Sequence, residues 1–206
     1  ATNITFHSRT QWVGIDGHPN TVNISANTPL DILHGGIGGF VMFDQIGPIQ
    51  TFGASFAYAF RFDFGGERGD GPALQFGIKP SFFNKDIDGT NFRPNDAADP
   101  VLIDLLGTSD NTSIFDLGAG IYFDLPDDKF YAGVSADHLL EPELDVANLG
   151  SVGDPTEVPL AFNFSAGYRI GRTGAPVTFT PNVLLKMSDN TTQLDVNVNM
   201  NADPFV

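Results

Sequence analysis

Apolar and polar side chains alternate one by one through residues 51–64, the most regular stretch of the chain. The apolar positions are mostly aromatic, and the positions between them are small or polar and end in charges: Phe52, Ala54, Phe56, Tyr58, Phe60, Phe62 and Phe64 against Thr51, Gly53, Ser55, Ala57, Ala59, Arg61 and Asp63. A β-strand sends alternate side chains to opposite faces, whereas a helix would scatter the phenylalanines around its circumference. The pattern therefore predicts a strand with one apolar face.

The length of this strand favours a membrane barrel over a soluble sandwich. At roughly 3.3 Å per residue it is about 45 Å long, whereas strands of soluble proteins have about 5–6 residues. A tilted membrane-spanning strand needs about 9–11 residues, so the apolar band is long enough to cross a bilayer. In a barrel the aromatic face meets lipid and the polar face meets the lumen.

Similar alternation in nine further stretches predicts an all-β fold, an antiparallel transmembrane β-barrel with ten strands visible in this sequence. The strands are predicted at residues 4–12, 21–29, 35–44, 51–64, 73–83, 113–123, 130–137, 160–170, 177–187 and 192–200. Two long loops follow strands five and seven, at residues 84–112 and 138–159, and the first contains a short helical piece at 100–106. Both loops lie on one side, and the connections after strands two, four, six and eight are short. This is the pattern of outer-membrane barrels, with the long loops extracellular and the N-terminus periplasmic.

The positions opposite the apolar face collect polar and charged side chains, as expected for a lumen. The predicted lumen-facing residues are His7, Arg9, Gln11, Asn23, Asn27, Arg61, Asp63, Gln75, Lys79, Asp116, Asn163, Arg169, Asn182, Lys186, Gln193 and Asp195. In a soluble β-protein the same residues would form the outer surface. The two hypotheses differ in whether the aromatic face points outward or inward.

The amino-acid composition excludes several classes of protein and of site. The 206 residues include no cysteine, which excludes a disulfide framework and a thiolate metal site, and they contain no apolar run of about 18 residues. The net charge of −15 argues against nucleic-acid binding, which needs a basic surface. Six aspartates lie in the first long loop, and five acidic residues without Lys or Arg lie in the second. These loops are either simply solvated or able to attract divalent cations or a basic partner.

Candidate chemistry is sparse. The four histidines show no metal-ligand spacing, and His138 beside Glu141, Glu143 and Asp145 is interpreted as a loop histidine rather than a site. Residues 86–91 begin like a calcium loop but lack the full ligand register, so we predict a turn there. Ser8 with His7, or Ser135 with His138, is a chance pairing rather than a catalytic one. We predict no catalytic residue, cofactor or metal.

Several segments in order resemble the PorP/SprF family of type IX secretion system outer-membrane proteins. The segments are RTQWVGIDGHPNT at 9–21, DQIGP at 44–48, AYAFR at 57–61, GAGIY at 118–122 and FYAGVSADHLL at 130–140. The resemblance implies that residues 1–206 form a single barrel domain, without enzymatic activity, in the outer membrane of a Gram-negative cell. It also implies a role in protein secretion or gliding motility that docks, exports or displays a secreted surface protein or adhesin together with other subunits of the machinery.

The turn within the first of these segments is the candidate partner contact, comprising Gln11, Trp12, Val13, Gly14, Gly17 and Pro19. The alternative is a structural corner whose Trp12 anchors the membrane interface. The chain lacks the family's signal peptide and opening residues and ends at Val206, so we expect it to be part of a larger barrel, truncated at its C-terminal end. Two other functions stay open: an outer-membrane channel for small or apolar solutes, and a soluble sandwich that acts as a binding module.

Overall fold

The computed structural model describes residues 2–64, 71–91, 109–126, 129–144, 156–171, 175–189 and 191–202. Its twelve strands are β1 (Asn3–Thr10), β2 (Asn20–Leu30), β3 (Gly35–Ile46), β4 (Ile49–Asp63), β5 (Ala73–Asp88), β6 (Ser109–Asp124), β7 (Phe130–Asp137), β8 (Glu143–Leu144), β9 (Thr156–Glu157), β10 (Ala161–Tyr168), β11 (Val177–Ser188) and β12 (Thr191–Ala202). Two 3₁₀ turns, Asp31–Leu33 and Gly89–Asn91, follow β2 and β5.

Ten of the strands form one antiparallel sheet in the order β1-β2-β3-β4-β5-β6-β7-β10-β11-β12. Each strand pairs with its neighbour in sequence, apart from the insertion of β8 and β9, which pair only with each other. The predicted all-β antiparallel fold and its ten strands are confirmed. Within the described residues β1 and β12 each have a neighbour on one side only, so the sheet is open and its closure stays a prediction.

Both long loops differ from the prediction. β5 and β6 continue as a paired hairpin to Asp88 and from Ser109, inside the segment predicted as loop. Polar cross-strand contacts replace the aromatic pattern there, since the Asn84 amide donates to Asn111 Oδ1 at 2.7 Å and to Ser113 Oγ at 2.8 Å. The second loop contains the short β8–β9 ladder. The helical piece predicted at 100–106 lies outside the described residues.

The two faces of the sheet have opposite character. Side chains of the apolar face remain exposed, including those of the most regular strand: Phe56 is 55% exposed and Phe62 is 51% exposed. In the described part of the chain, Ala73 and Ile87 are the only buried hydrophobic residues, so no second layer covers the aromatic side chains. A soluble sandwich would bury this face, so its exposure favours the barrel, and the outward direction of the face stays a prediction. No helix in these segments is both long and apolar enough to cross a bilayer.

Antiparallel pairing assigns every connection to one of two ends of the sheet. The long-loop end carries the connections after β1, β3, β5, β7 and β11, and the short-turn end carries those after β2, β4, β6 and β10. The candidate partner turn at residues 11–19 therefore lies at the long-loop end. Residue 2 and residue 202 both lie at the short-turn end.

Candidate docking surface and polar face

The turn at residues 11–19 is closed by its own backbone. The Gln11 N–H donates to the Pro19 carbonyl at 3.0 Å, and the Ile15 N–H donates to the Trp12 carbonyl at 3.1 Å. Trp12 has a φ of 55°, a left-handed conformation that non-glycine residues rarely adopt. Gly14 and Gly17 take positive φ values of 100° and 76°, which glycine accepts at no steric cost.

This turn also packs against the next connection of the same end. The Gly47 N–H, in the turn between β3 and β4, donates to the Gly17 carbonyl at 2.9 Å. A Cβ atom at Gly17 would lie 3.0 Å from the Gly47 Cα, so the close approach needs a residue without a side chain. The Pro48 carbonyl in turn accepts from the Asp88 N–H at 2.9 Å. The rim of the sheet is thus linked by hydrogen bonds from β1 to β5.

The tip of the turn presents apolar side chains to the surroundings. Trp12 is 67% exposed, Val13 is 80% exposed and Ile15, which the sequence analysis did not select, is 62% exposed. Of the remaining predicted contact residues, Gly14 and Gly17 are exposed, Gln11 is half-buried and Pro19 is buried. The structure therefore brings the six residues into one turn but divides them into a structural base, Gln11 and Pro19, and an accessible tip.

The strand registers place fourteen of the predicted lumen-facing residues on the face opposite the aromatic side chains, which we call the polar face. Successive partners on it include His7 with Asn23, Arg61 with Gln75, and Lys186 with Gln193. The other two, Gln11 and Arg169, immediately follow β1 and β10. The polar face also carries residues that the sequence analysis did not select as lumen-facing: Phe40, Met42, Ala59, Phe83, Ile114, Tyr122, Asp124, Tyr131 and Asp137.

An ion cluster crosses three strands of this face near the short-turn end. The Arg61 guanidinium donates to both carboxylate oxygens of Asp124, at 3.2 and 3.0 Å, and its Nε donates to Asp63 at 2.8 Å. Gln75 lies between them on β5 and donates to Asp124 Oδ1 at 2.9 Å. Bidentate pairing fixes the guanidinium plane, so β4, β5 and β6 are tied together by charged hydrogen bonds. The predicted strand six ended one residue before Asp124, which is why this partner was missed.

A second ion pair crosses β6 closer to the long-loop end. Lys79 Nζ on β5 lies 2.6 Å from Asp137 Oδ1 on β7, and Asn163 on β10 donates to the other oxygen at 3.0 Å. The lysine passes over Gly118, where a Cβ would lie 3.2 Å from Lys79 Cε and 2.9 Å from Asp137 Oδ1. A glycine at this point of β6 therefore leaves room for a contact between the two flanking strands.

His138 immediately follows β7, and its ring contacts the sheet. Its Nδ1 lies 2.6 Å from Asp116 Oδ2, and the Asp116 side chain is only 5% exposed. Strict alternation after β7 would point His138 to the apolar face, with Val134 and Ala136. A φ of 62° at His138 reverses this direction of the side chain. The Leu139 N–H then donates to the Leu117 carbonyl at 2.9 Å. His138 lies outside the strands, as its interpretation as a loop histidine predicts, and its ring turns to Asp116 on β6.

Two tyrosines of the polar face lie over glycines of the adjacent strands. The rings of Tyr122 and Tyr131 stack with centroids 5.9 Å apart and an interplanar angle of 23°. A Cβ at Gly133 would be 2.9 Å from the Tyr122 ring, and one at Gly167 would be 2.5 Å from the Tyr131 hydroxyl. The aromatic rings thus cover backbone that glycine leaves open, an arrangement that pins strand register.

The segments that the structure describes contain no group of three or more His, Cys, Asp or Glu residues able to hold a metal ion. The start of the calcium-like sequence forms the end of β5 instead. Asp88 Oδ1 accepts from the Thr90 N–H at 3.0 Å and from its hydroxyl at 2.5 Å, which opens the 3₁₀ turn at Gly89–Asn91.

Comparison with known proteins decides the family. The sequence model described as "Type IX secretion system membrane protein PorP/SprF" matches residues 1–206. The chain belongs to the PorP/SprF family. It is therefore a membrane protein of the type IX secretion system, and its exposed aromatic face and all-antiparallel sheet are those of an outer-membrane β-protein.

Other comparisons add little to this assignment. Among solved structures the chain is similar to a "KdgM porin", with a TM-score of 0.33 and 10% identity over 98% of this chain and 99% of that one. No curated protein matches the sequence.

Proposed function

We propose that this PorP/SprF protein is a non-enzymatic outer-membrane component that docks a cognate secreted surface protein or adhesin and helps to export or display it. Its long-loop end would face the outside of the cell, and its short turns would face the other subunits of the machinery. The family assignment supports a role in secretion, and the exposed tip at Trp12, Val13 and Ile15 supports docking at the long-loop end.

The proposal depends on the tip because its exposed apolar side chains sit on a rigid backbone support. Exposed aromatic and aliphatic side chains that sit on a rigid support are typical energetic anchors of protein interfaces. Here the support is the rim, in which the Gly17 carbonyl accepts from the Gly47 N–H and the Pro48 carbonyl accepts from the Asp88 N–H. The tip therefore loses little conformational freedom when a partner covers it.

The test is a gentle detergent pull-down of the tagged full-length protein from native outer membranes, followed by mass spectrometry. We expect a large surface protein or translocon subunits to co-purify with the wild type. The double variant Trp12→Ala, Val13→Ser should capture at least about tenfold less partner, since hot-spot truncations cost about 2 kcal/mol or more. The control Ile32→Ser removes an equally exposed apolar side chain (Ile32 is 86% exposed) at the opposite end and should capture normally.

Three outcomes would contradict the proposal in part or as a whole. Equal capture by the wild type and the tip variant would place the contact elsewhere. A barrel that comes down alone under gentle extraction and conducts ions across a planar bilayer would favour the solute channel. Recovery of the protein in the soluble fraction would exclude the barrel itself.

A further inference from the structure

A groove of about 410 Å³ indents the apolar face of the sheet across β1 to β4. One rung of the sheet crosses it, in which each residue is the direct cross-strand partner of the next: Ile4, Ala26, Gly39 and Phe56. Ala26 and Gly39 form the floor, while Ile4 and Phe56, both more than half exposed, form the two sides. The groove therefore lies where two small residues stand between two large apolar side chains.

The neighbouring rungs close the two ends of the groove. Ile24 and Val41 are cross-strand partners on the side of the long-loop end, and Thr28 and Ile37 are partners on the side of the short-turn end. These residues lie two positions from the floor along β2 and β3, so their side chains share its face. The groove is thus bounded on all four sides by side chains that are mostly aliphatic or aromatic.

The depth of the groove is set by the backbone at Gly39. A Cβ atom there would lie 2.6 Å from the Ser55 carbonyl oxygen, closer than Cβ atoms approach other atoms in proteins. The pairing of β3 with β4 therefore requires glycine at this position and leaves the floor without a side chain. The groove is a fixed feature of the sheet rather than a gap that a rotamer change would fill.

The lining of the groove selects a neutral hydrocarbon ligand. Among the described residues, none that lines the groove is ionisable, although the chain carries a net charge of −15. A metal ion, an anion or a charged peptide segment therefore finds no partner there. The family is one of membrane proteins, and in a membrane the neutral apolar groups that surround a protein are the acyl chains of lipids.

Packing, rather than the hydrophobic effect, gives the groove a preference for one acyl chain. Lipid tails are as apolar as the side chains, so a chain that leaves bulk lipid for the groove gains no hydrophobic free energy. Dispersion contacts are small one by one, but a chain in the groove touches the floor and both sides at once. On a flat part of the face the same chain touches protein on one side only. An acyl chain should therefore stay longer in the groove than elsewhere on the apolar face.

Hydroxyl groups mark one end of the groove as its polar end. The hydroxyls of Thr2 and Thr28 lie 2.8 Å apart on the side of the short-turn end. Tyr58, the partner of Ile37 on the rung that closes this end, donates its hydroxyl to the Leu33 carbonyl at 2.7 Å. Tyrosine is enriched at membrane–water interfaces, where the ring meets apolar groups and the hydroxyl meets polar ones. The headgroup of a bound lipid should therefore lie towards the short-turn end.

We propose that this groove seats one acyl chain of a membrane phospholipid, which lies between Ile4 and Phe56 with its ester end towards Thr2 and Thr28. The site goes beyond the docking of a surface protein and is separate from the Trp12 tip. It rests on the outward direction of the apolar face, which the membrane location of the family supports.

The first test uses native mass spectrometry to count the phospholipids that stay on the full chain after mild detergent extraction and repeated washing. We expect one phospholipid per wild-type chain to outlast the others. Ala26→Leu fills the floor and should lower the retained fraction about fivefold, since the leucine replaces many dispersion contacts of the lipid at once. Ala166→Leu adds the same side chain to the apolar face of β10, outside the groove, and should retain lipid as the wild type does.

A second pair of variants removes bulk instead of adding it, so that a folding defect of Ala26→Leu does not decide the result. Phe56→Ala takes away one side of the groove and should lower lipid retention about threefold through lost dispersion contacts. Phe164→Ala on β10, where the ring is 42% exposed, should leave retention unchanged. Circular dichroism checks the fold of all four variants. Unchanged retention in both groove variants, or an equal loss in their controls, would overturn the proposal.

Photo-crosslinking locates the lipid in vesicles of phosphatidylethanolamine and phosphatidylglycerol. The probe is a trace of either phospholipid with a diazirine on its acyl chain, and mass spectrometry identifies the labelled peptides. Peptides of β1 to β4 that line the groove should carry about threefold more label than peptides from the same face of β10 and β11, because the chain packs more closely there. Both headgroups should give this pattern, and labelling that depends on the headgroup would overturn a site for the acyl chain.

The labelling pattern also separates this proposal from the outward direction of the apolar face. Even labelling around the whole face would overturn the groove and leave the outward direction intact. A face without label would overturn the outward direction itself. Cross-links between two copies of the chain at the groove, with no lipid label there, would overturn the lipid site in favour of a dimer interface.

Discussion

A contact of 2.6 Å between Asp116 Oδ2 and His138 Nδ1 connects the wall of the sheet to the start of the second long loop. Asp116 lies in the middle of β6, and its second carboxylate oxygen is buried without a hydrogen-bond partner in the described part of the structure. The His138 ring therefore gives this buried carboxylate a polar partner. It also fixes the direction in which the chain leaves β7.

Removal of the histidine should destabilise the protein more than removal of both partners. In His138→Ala the buried Asp116 carboxylate loses its partner, which should cost about 1–3 kcal/mol of unfolding free energy. The double variant Asp116→Ala, His138→Ala should recover part of this loss. Urea unfolding in detergent, followed by circular dichroism, measures both. A double variant whose loss equals the sum of the two single variants would show that the residues do not interact.

Gly167 should be intolerant of the smallest possible side chain. In Gly167→Ala the new methyl group overlaps the Tyr131 ring, which must move and break its stacking on Tyr122. Overpacking of this kind costs about 1–3 kcal/mol. Gly77→Ala is the control on the same face, because its Cβ would meet its nearest atom at an ordinary 3.7 Å. Thermal unfolding in detergent should separate the two variants, and equal midpoints would contradict the packing described.

The direction of the apolar face can be tested with one charge placed on either side of a strand. Phe56→Arg puts a cation on the aromatic face of β4, where lipid exposure should cost about 2–4 kcal/mol near the bilayer midplane. Ser55→Arg puts the same cation on the polar face one residue away and should be far better tolerated. Refolding yield into lipid vesicles measures the difference. Comparable yields would show that the aromatic face does not meet lipid.

The sidedness of the two ends can be measured directly, since the sequence contains no cysteine. Val13→Cys introduces one thiol at the long-loop end and Ile32→Cys one at the short-turn end, both at positions that are at least 80% exposed. A membrane-impermeant maleimide should label the first in intact cells and the second only after permeabilisation. The reverse pattern would contradict the extracellular assignment of the long loops.

Much of the fold could be predicted from the sequence because alternate residues of a strand face different environments and therefore differ in polarity. The period of two located all ten strands of the main sheet and divided their residues between the apolar and the polar face. The method failed where polarity stopped alternating, as at Asn84–Asp88, where amides and carboxylates pair across β5 and β6 although neither face is apolar.

The candidate partner turn could likewise be predicted only in part. Glycine and proline between strands indicated the turn at residues 11–19, but alternation carries no information about which side chains of a turn are covered. The structure shows that Pro19 lies at the buried base and that Ile15 joins Trp12 and Val13 at the exposed tip.

The sequence by itself determined the strand count, the polarity of each face and the end on which the long loops lie, because these follow from local periodicity and from antiparallel parity. Only the tertiary structure decided the contacts that skip a strand, from Arg61 to Asp124 and from Lys79 to Asp137, and the reversal that brings His138 to Asp116. Such contacts depend on strand register and on a single left-handed residue. Neither leaves a periodic signal in the chain.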